Sequence, residues 1–173
     1  MYFNWLKRDK AKLLNDKKNI PVSVILVVIK SRLEFVNAFV LPSIKANNPA
    51  EIIIIDDENL SNQEKRNKGV KQATQEYIFI CDDDVIMPAN HLKILYKTLE
   101  YNQKYAFAYT DYQAIVMDPE THPIGKNYYH KSKEFSLEEL IFKNYIDTCS
   151  LVKKEFFPYF DPEIKRFQDW DLW

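Results

Sequence analysis

Two acidic runs, Asp56-Asp57-Glu58 and Asp82-Asp83-Asp84, each directly follow a stretch of apolar residues. Carboxylates gathered this densely repel one another unless a cation neutralises them, and hard oxygen donors of this type suit Mg²⁺ or Mn²⁺. Asp is also favoured as a turn or N-cap residue wherever a strand ends or a helix starts. One cap needs one Asp, and three in succession exceed that need. A further acidic site, Asp169 and Asp171, lies in Gln168-Asp169-Trp170-Asp171-Leu172-Trp173. On spacing alone it reads equally as a helix start capped by Asp169, with Leu172 and Trp173 buried.

Other chemistries lack their residues. Gly69 and Gly125 are the two glycines of the chain, too few for a Gly-rich phosphate loop of either the Walker or the dinucleotide-binding kind. Bound phosphates would have to be held by metal and side chains. The three histidines, His91, His122 and His130, have no partner at metal-site spacing and read as surface or loop residues. Neither a Ser-His-Asp nor a Cys-His set stands out. With 24 Lys and Arg against 25 Asp and Glu, the chain carries no field that would draw nucleic acid. Cys81 and Cys149 sit in apolar stretches read as strands, which suits small buried hydrophobes in a reducing compartment and makes a cytoplasmic location the expectation. No apolar run approaches the roughly 18 residues that span a bilayer, and no signal-peptide core is present, so an integral or secreted protein is not expected.

The elements that must position the acidic runs alternate in type. Val22 to Ile29 is a continuous apolar run of the kind found in strands buried on both faces. Leu33 to Asn47 has helical spacing and stops at Asn47-Asn48-Pro49. Glu51 to Ile55 is a second buried strand, Ser61 with Glu64 forms a capping box for a helix to about Ala73, and Tyr77 to Cys81 is a third strand. This succession predicts right-handed crossovers and a mainly parallel sheet with helices on both faces, an α/β fold. Ligands then bind beyond the carboxyl ends of the strands, where both acidic runs fall. A helix from about Ala89 to Asn102, an aromatic strand region from Tyr105 to Met117, and a polar segment from Asp118 to Lys133 follow. Ser136 and Glu139 form another capping box opening a helix through Phe142, and Thr148 to Val152 is a last strand. Tyr128 and Tyr129 are candidates for packing under a loop or for stacking on a sugar ring, and Trp170 for core or acceptor-site wall.

At 173 residues, 46% of them hydrophobic, the chain has the size of one domain over 21–173. Residues 1–20 are a basic amphipathic extension with Lys7, Arg8, Lys10, Lys12, Lys17 and Lys18 among Phe3, Trp5, Leu6, Leu13 and Leu14. It reads first as a solvated extension packing a few apolar groups on the body, and second as a peripheral contact with the inner face of a membrane.

The ordered set of motifs resembles the inverting family 2 glycosyltransferases. The likeness runs from the Val-Ser-Val-Ile strand at Val22 through Glu51-Ile-Ile-Ile-Ile-Asp-Asp and Arg66-Asn67-Lys68-Gly69 to Glu76-Tyr-Ile-Phe-Ile-Cys-Asp-Asp-Asp. Phe160-Asp161 and Asp169-Trp170-Asp171-Leu172-Trp173 are similar to that family's acceptor-side motif. The resemblance implies a GT-A fold, a nucleoside diphosphate sugar donor, with a UDP-sugar slightly ahead, a glycan or lipid-linked acceptor, and Mn²⁺ or Mg²⁺. It implies that Asp57 contacts the base, that Asp82 and Asp84 hold ribose and metal as a DxD pair, and that Asp169 is the general base. The third Asp leaves the register open, with Asp83 the other candidate for nucleotide or metal.

Some positions depart from the family. Val27-Val28-Ile29-Lys30 stands where a Pro-Thr-Tyr-Asn type of sequence is usual, Gln75 where Gly is usual, and Gln168 where an acidic residue often precedes the base. The family's further acceptor-site structure is expected after Trp173, which makes a shortened domain or a fragment the expectation here. Three alternatives compete: a non-catalytic binding remnant of the same fold, a receiver-type phosphoacceptor domain, and a nucleotidyltransferase. The receiver spacing fits poorly, and the nucleotidyltransferase lacks its Gly-rich signature.

Overall fold

The computed structural model describes residues 19–116 and 127–173. Its strands are β1 (Ile20–Val27), β2 (Pro49–Ile55), β3 (Tyr77–Asp82), β4 (Phe107–Ala108), β5 (Tyr112–Ala114), β6 (Tyr128–His130) and β7 (Leu151–Lys153). Helical stretches are α1 over 30–46, α2 (Asn62–Gln72), α3 (His91–Tyr101), α4 (Leu137–Phe142) and α5 (Gln168–Leu172). The main sheet has the order β2-β1-β3-β7-β4: β1 is parallel to both β2 and β3, and β7 is antiparallel to β3 and β4. β5 and β6 pair separately. An all-parallel receiver sheet has no place for an antiparallel strand beside β3, which removes that alternative.

The period-2 alternation of β1 and β3 divides the core. Val22, Val24, Leu26, Tyr77, Phe79 and Cys81 pack with α1 and α3 on one face. Ile25, Val27, Ile78 and Ile80 pack on the other with Val70 of α2 and with Phe157, Phe160 and Leu172. Both faces of β1 and β3 are therefore buried, as their apolar runs require, with Ser23 the one polar residue inside β1. β2, expected to be buried in the same way, is instead the edge strand, and Ile54 is 47% exposed.

Local chemistry fixes the helices. Ser61 caps α2 by the predicted box: its Oγ accepts from the Glu64 N–H at 3.3 Å and Glu64 Oε2 accepts from the Ser61 N–H at 2.8 Å. The second predicted box closes by half. Ser136 accepts from the Glu139 N–H, but the Glu139 carboxylate pairs with Lys133, and the Ser136 N–H turns to the Tyr145 hydroxyl at 2.8 Å. α1 starts as a 3-10 turn, widens to a π segment over Val36–Val40 and is regular over Leu41–Ala46. Pro42 sits at the first turn of that last segment; it donates no N–H, and its ring crowds the preceding turn, which the wider π turn relieves. Asn47 ends α1 and ties it to α3: its amide donates to the Ser43 and Pro88 carbonyls, both at 3.0 Å, and accepts from the Leu92 N–H at 3.1 Å.

The expected strand from Tyr105 to Met117 is two strands. The Tyr105 N–H closes a turn on the Asn102 carbonyl, β4 joins the main sheet, and the chain leaves it to form β5. Cys149 precedes β7 and lies outside any strand, whereas Cys81 is in β3; both thiols are free, and burial pushes both above their usual pKa. Nearly all of the basic extension, residues 1–18, and His122, Gly125 and most of the polar segment from Asp118 lie outside the described residues. No helix among the described residues is long and apolar enough to cross a membrane.

Candidate functional site

The parallel registers bring Val27, Ile55 and Asp82 level at one edge of the sheet. Here a cleft of about 200 Å³ is lined by Val27, Ile29, Arg32, Asn62, Arg66 and the three aspartates 82 to 84. Asn62 and Arg66 are one turn apart on α2 and present the same helix face to it.

The three aspartates differ sharply in setting. Asp83 has 7% of its side chain exposed, and both oxygens are taken: Oδ2 accepts from the Ile29 N–H at 2.8 Å and Oδ1 from Arg32 Nη1 at 2.6 Å. Its carboxylate braces the end of β3 against the segment leaving β1. Asp82 is 31% exposed and pairs with Arg66 Nη2 at 2.7 Å. Asp84 is 55% exposed and pairs with Arg32 Nη1 at 2.8 Å. The Asp83 hydrogen bond, together with the charges of Asp83 and Asp84, raises the Arg32 pKa against the opposing effect of desolvation.

Arg66 is the most constrained group in the cleft. It is 7% exposed, its guanidinium carbon lies 5.1 Å over the Phe160 ring, and its second amino group donates to Gln168 Oε1 at 3.0 Å. Its Nε is buried with no hydrogen-bond partner among the described residues. Arg66 thus connects Asp82 at the end of β3 to the residue before Asp169. The same face of α2 holds the intervening segment: Asn67 donates to the Phe160 carbonyl at 2.7 Å and accepts from its N–H at 2.9 Å, and Gln63 donates to the Ile164 carbonyl.

Asp169 is the second residue of α5, which Gln168 opens directly after Phe167, whose left-handed φ of 58° is uncommon for an aromatic residue and redirects the chain into the helix. Asp169 Oδ2 accepts from Asn144 Nδ2 at 2.7 Å. Asp169 is not the N-cap, a position that Phe167 holds, so the capping role considered from spacing falls away. Trp170 packs on the core: its indole N–H donates to the Leu140 carbonyl at 2.6 Å and its ring lies against the cluster of Leu140, Tyr145 and Ile146. Trp173 stacks on Phe107 with ring centroids 4.7 Å apart.

Asp57 lies outside the cleft lining. Its carboxylate accepts from the Asn59 N–H at 3.2 Å and from Lys68 Nζ at 3.2 Å, and these contacts, the backbone bond first, lower its pKa. Tyr128 and Tyr129 are exposed; Tyr128 is set edge-on to Tyr112, and the Tyr129 hydroxyl donates to Asp111. His130 stacks on Tyr112 at 4.7 Å, and His91 is set edge-on to Phe79 with its pKa lowered by burial, so His91 is a packed group and not a surface one.

Sequence reasoning gave no role to the basic partners. Arg32, Arg66 and Lys68 supply the positive charge that the acidic runs demand. Arg66 and Lys68 stood inside a quoted motif, while no spacing signal marked Arg32. Gln168, noted only as a departure, accepts from Arg66.

With three carboxylates against two guanidinium groups, the cleft lining retains one net negative charge. A bound diphosphate would add more, and a divalent cation would offset it. Among the described residues, no three Asp, Glu, His or Cys side chains converge as metal ligands. Mg²⁺ needs no such cage when one or two carboxylates share it with substrate phosphates, and Mn²⁺ takes the same hard oxygen donors. Asp82 and Asp84 fit that mode; Asp83, with both oxygens engaged inside the protein, does not.

The mostly parallel sheet covered by helices, with its acidic cleft beyond β3, is a GT-A fold. The model of glycosyl transferase family 2 matches residues 46–160, and the chain belongs to that family. It is similar to the "Uncharacterized glycosyltransferase YwdF" of Bacillus subtilis (strain 168), with 22% identity over 123 residues, covering 68% of this chain. The match spans 44% of that relative's length.

Proposed function

We propose that the chain binds a nucleoside diphosphate sugar in this cleft and transfers the sugar, with inversion, to an acceptor hydroxyl of a glycan or lipid-linked molecule. The observation that carries the proposal is the alternation at the end of β3: Asp83 has both oxygens engaged inside the protein, while Asp82 and Asp84, the two ends of the DxD pattern, present side chains 31% and 55% exposed to the cleft. In this reading Asp82 takes the ribose hydroxyls and Asp84 the metal, while Asp57, on the adjoining loop after β2, reaches the base. Mn²⁺ or Mg²⁺ would supply a positive charge at the leaving diphosphate. Asp169 accepts the acceptor's proton as its oxygen attacks the anomeric carbon, and Asn144 holds the carboxylate in place for that step. No covalent nucleophile takes part.

Incubation with UDP-, GDP- and CDP-sugars in the presence of Mn²⁺, with nucleoside diphosphate release followed by a coupled assay, tests this reading. One nucleotide class should support release, and Asp169→Asn should lower it by about 10²-fold or more, the usual weight of a general base. Release that is undiminished in Asp169→Asn would remove Asp169 from the reaction.

A further inference from the structure

We infer that Arg32 is a built-in competitor for the divalent cation, a latch whose hold on one Asp84 oxygen disfavours a metal there until it lets go. The inference rests on the proposed role of Asp84 as metal ligand. A single nitrogen, Arg32 Nη1, contacts both Asp83 Oδ1 at 2.6 Å and Asp84 Oδ2 at 2.8 Å. The two contacts are unequal. Asp83 is buried and its other oxygen is held by the Ile29 N–H, so it is a fixed anchor. Asp84 is the most exposed carboxylate of the three, and the Arg32 side chain is itself 45% exposed. The Arg32–Asp84 pair is therefore the solvent-screened, weak half of the bridge.

A cation binding Asp84 meets the guanidinium in two ways. One of the two carboxylate oxygens, Oδ2, already has a charge-assisted donor on it, and at either oxygen a second positive charge would sit within a few ångströms of the first. Arg32 has room to yield, since it can keep Asp83 and release Asp84. A guanidinium released in this way also prefers phosphate oxygens, which it binds in a forked geometry. The latch thus disfavours metal alone and favours metal arriving with a diphosphate. No such coupling would follow from a lysine or a neutral residue placed away from Asp84.

The test is the affinity for Mn²⁺ alone, followed by the loss of the free-ion electron paramagnetic resonance signal. Wild type, Arg32→Gln, Asp84→Asn and the double variant are compared, with Arg32→Ala as a second latch-free variant and Lys71→Gln as a control for simple charge removal. Thermal melts check that each is folded. Arg32→Gln should bind Mn²⁺ about three- to tenfold more tightly than wild type, in line with removal of one screened ion pair and one nearby like charge. Lys71→Gln should not, and the gain should vanish when Asp84→Asn is added. Binding by the Arg32 variants no tighter than wild type, while Asp84→Asn still weakens it, overturns the latch and leaves Asp84 a ligand. Affinity unchanged by Asp84→Asn in both backgrounds overturns the ligand role and the latch with it.

Discussion

Replacing Gly69 with alanine tests how closely α2 must lie on the sheet to deliver Arg66 and Asn67. A Cβ at this position would stand 2.2 Å from Ile25 Cγ2 and 3.3 Å from Ile25 Cβ and Cγ1. Ordinary contacts begin near 3.4 Å, so the helix, the strand or the Ile25 side chain between them must give by more than an ångström. Ile25 is fully buried on β1, which is flanked by strands on both sides and cannot retreat easily. Overpacking of this kind costs about 1–3 kcal/mol, and the severity of the clash puts it toward the upper end. Alanine returns about 1 kcal/mol through helix propensity. The net is a loss of about 1–2 kcal/mol, and at about 2–4 °C per kcal/mol for a chain of this size, Tm should fall by about 2–8 °C. Melting followed by circular dichroism, with urea titration alongside, measures it. Ile25→Ala alone should cost about 2–5 kcal/mol by leaving a cavity; in that background Gly69→Ala should be neutral or stabilising, because the methyl enters the vacated space. A higher Tm for Gly69→Ala in the wild-type background, or an equal penalty in both backgrounds, would refute the packing argument.

Three further outcomes follow from the same contacts. Asn67→Ala removes both bonds to the Phe160 backbone and should destabilise by about 1–3 kcal/mol, with faster proteolysis across 160–168 as the accompanying readout. Ser61→Ala opens the capping box of α2 and should cost about 1 kcal/mol in urea unfolding, more than Ser136→Ala, whose box is half formed. Hydrogen bonds from the Ser132 hydroxyl, the Tyr129 hydroxyl and the Ser132 N–H pull the Asp111 pKa down to about 2. A depressed carboxylate stabilises the fold above its unfolded pKa, and that contribution is lost as pH falls toward 2. Asp111→Asn should flatten the pH dependence of stability between about pH 4 and pH 2, and a carboxyl carbon titrating near the ordinary Asp value by NMR would contradict the assignment.

Much of the scaffold was legible because its signals are local. The apolar runs of β1 and β3 report burial on both faces, and Ser61 three residues before Glu64 reports a cap. What escaped depends on partners far along the chain. The aromatic run after Tyr105 has strand character throughout, but periodicity does not say that Phe107 pairs with Val152 while Gln113 pairs with Tyr129. The reciprocal bond of the Ser136 box was lost to Lys133, a competitor that the motif does not contain. In the site, the acidic runs were visible as clusters, whereas their neutralisation was not. Arg32 reaches aspartates more than 50 positions away, and Arg66 joins Asp82, 16 positions on, to Gln168, 102 positions on. Density of charge is a sequence property; the partner of a long side chain is a property of the fold.

Calorimetric titration with UDP, GDP and CDP, each with and without Mn²⁺, tests most directly the claim that the end of β3 is a donor site. The account predicts that one diphosphate binds, that Mn²⁺ tightens it, and that Asp82→Asn combined with Asp84→Asn abolishes it. Binding that survives both substitutions, or no binding of any of the three, would contradict it.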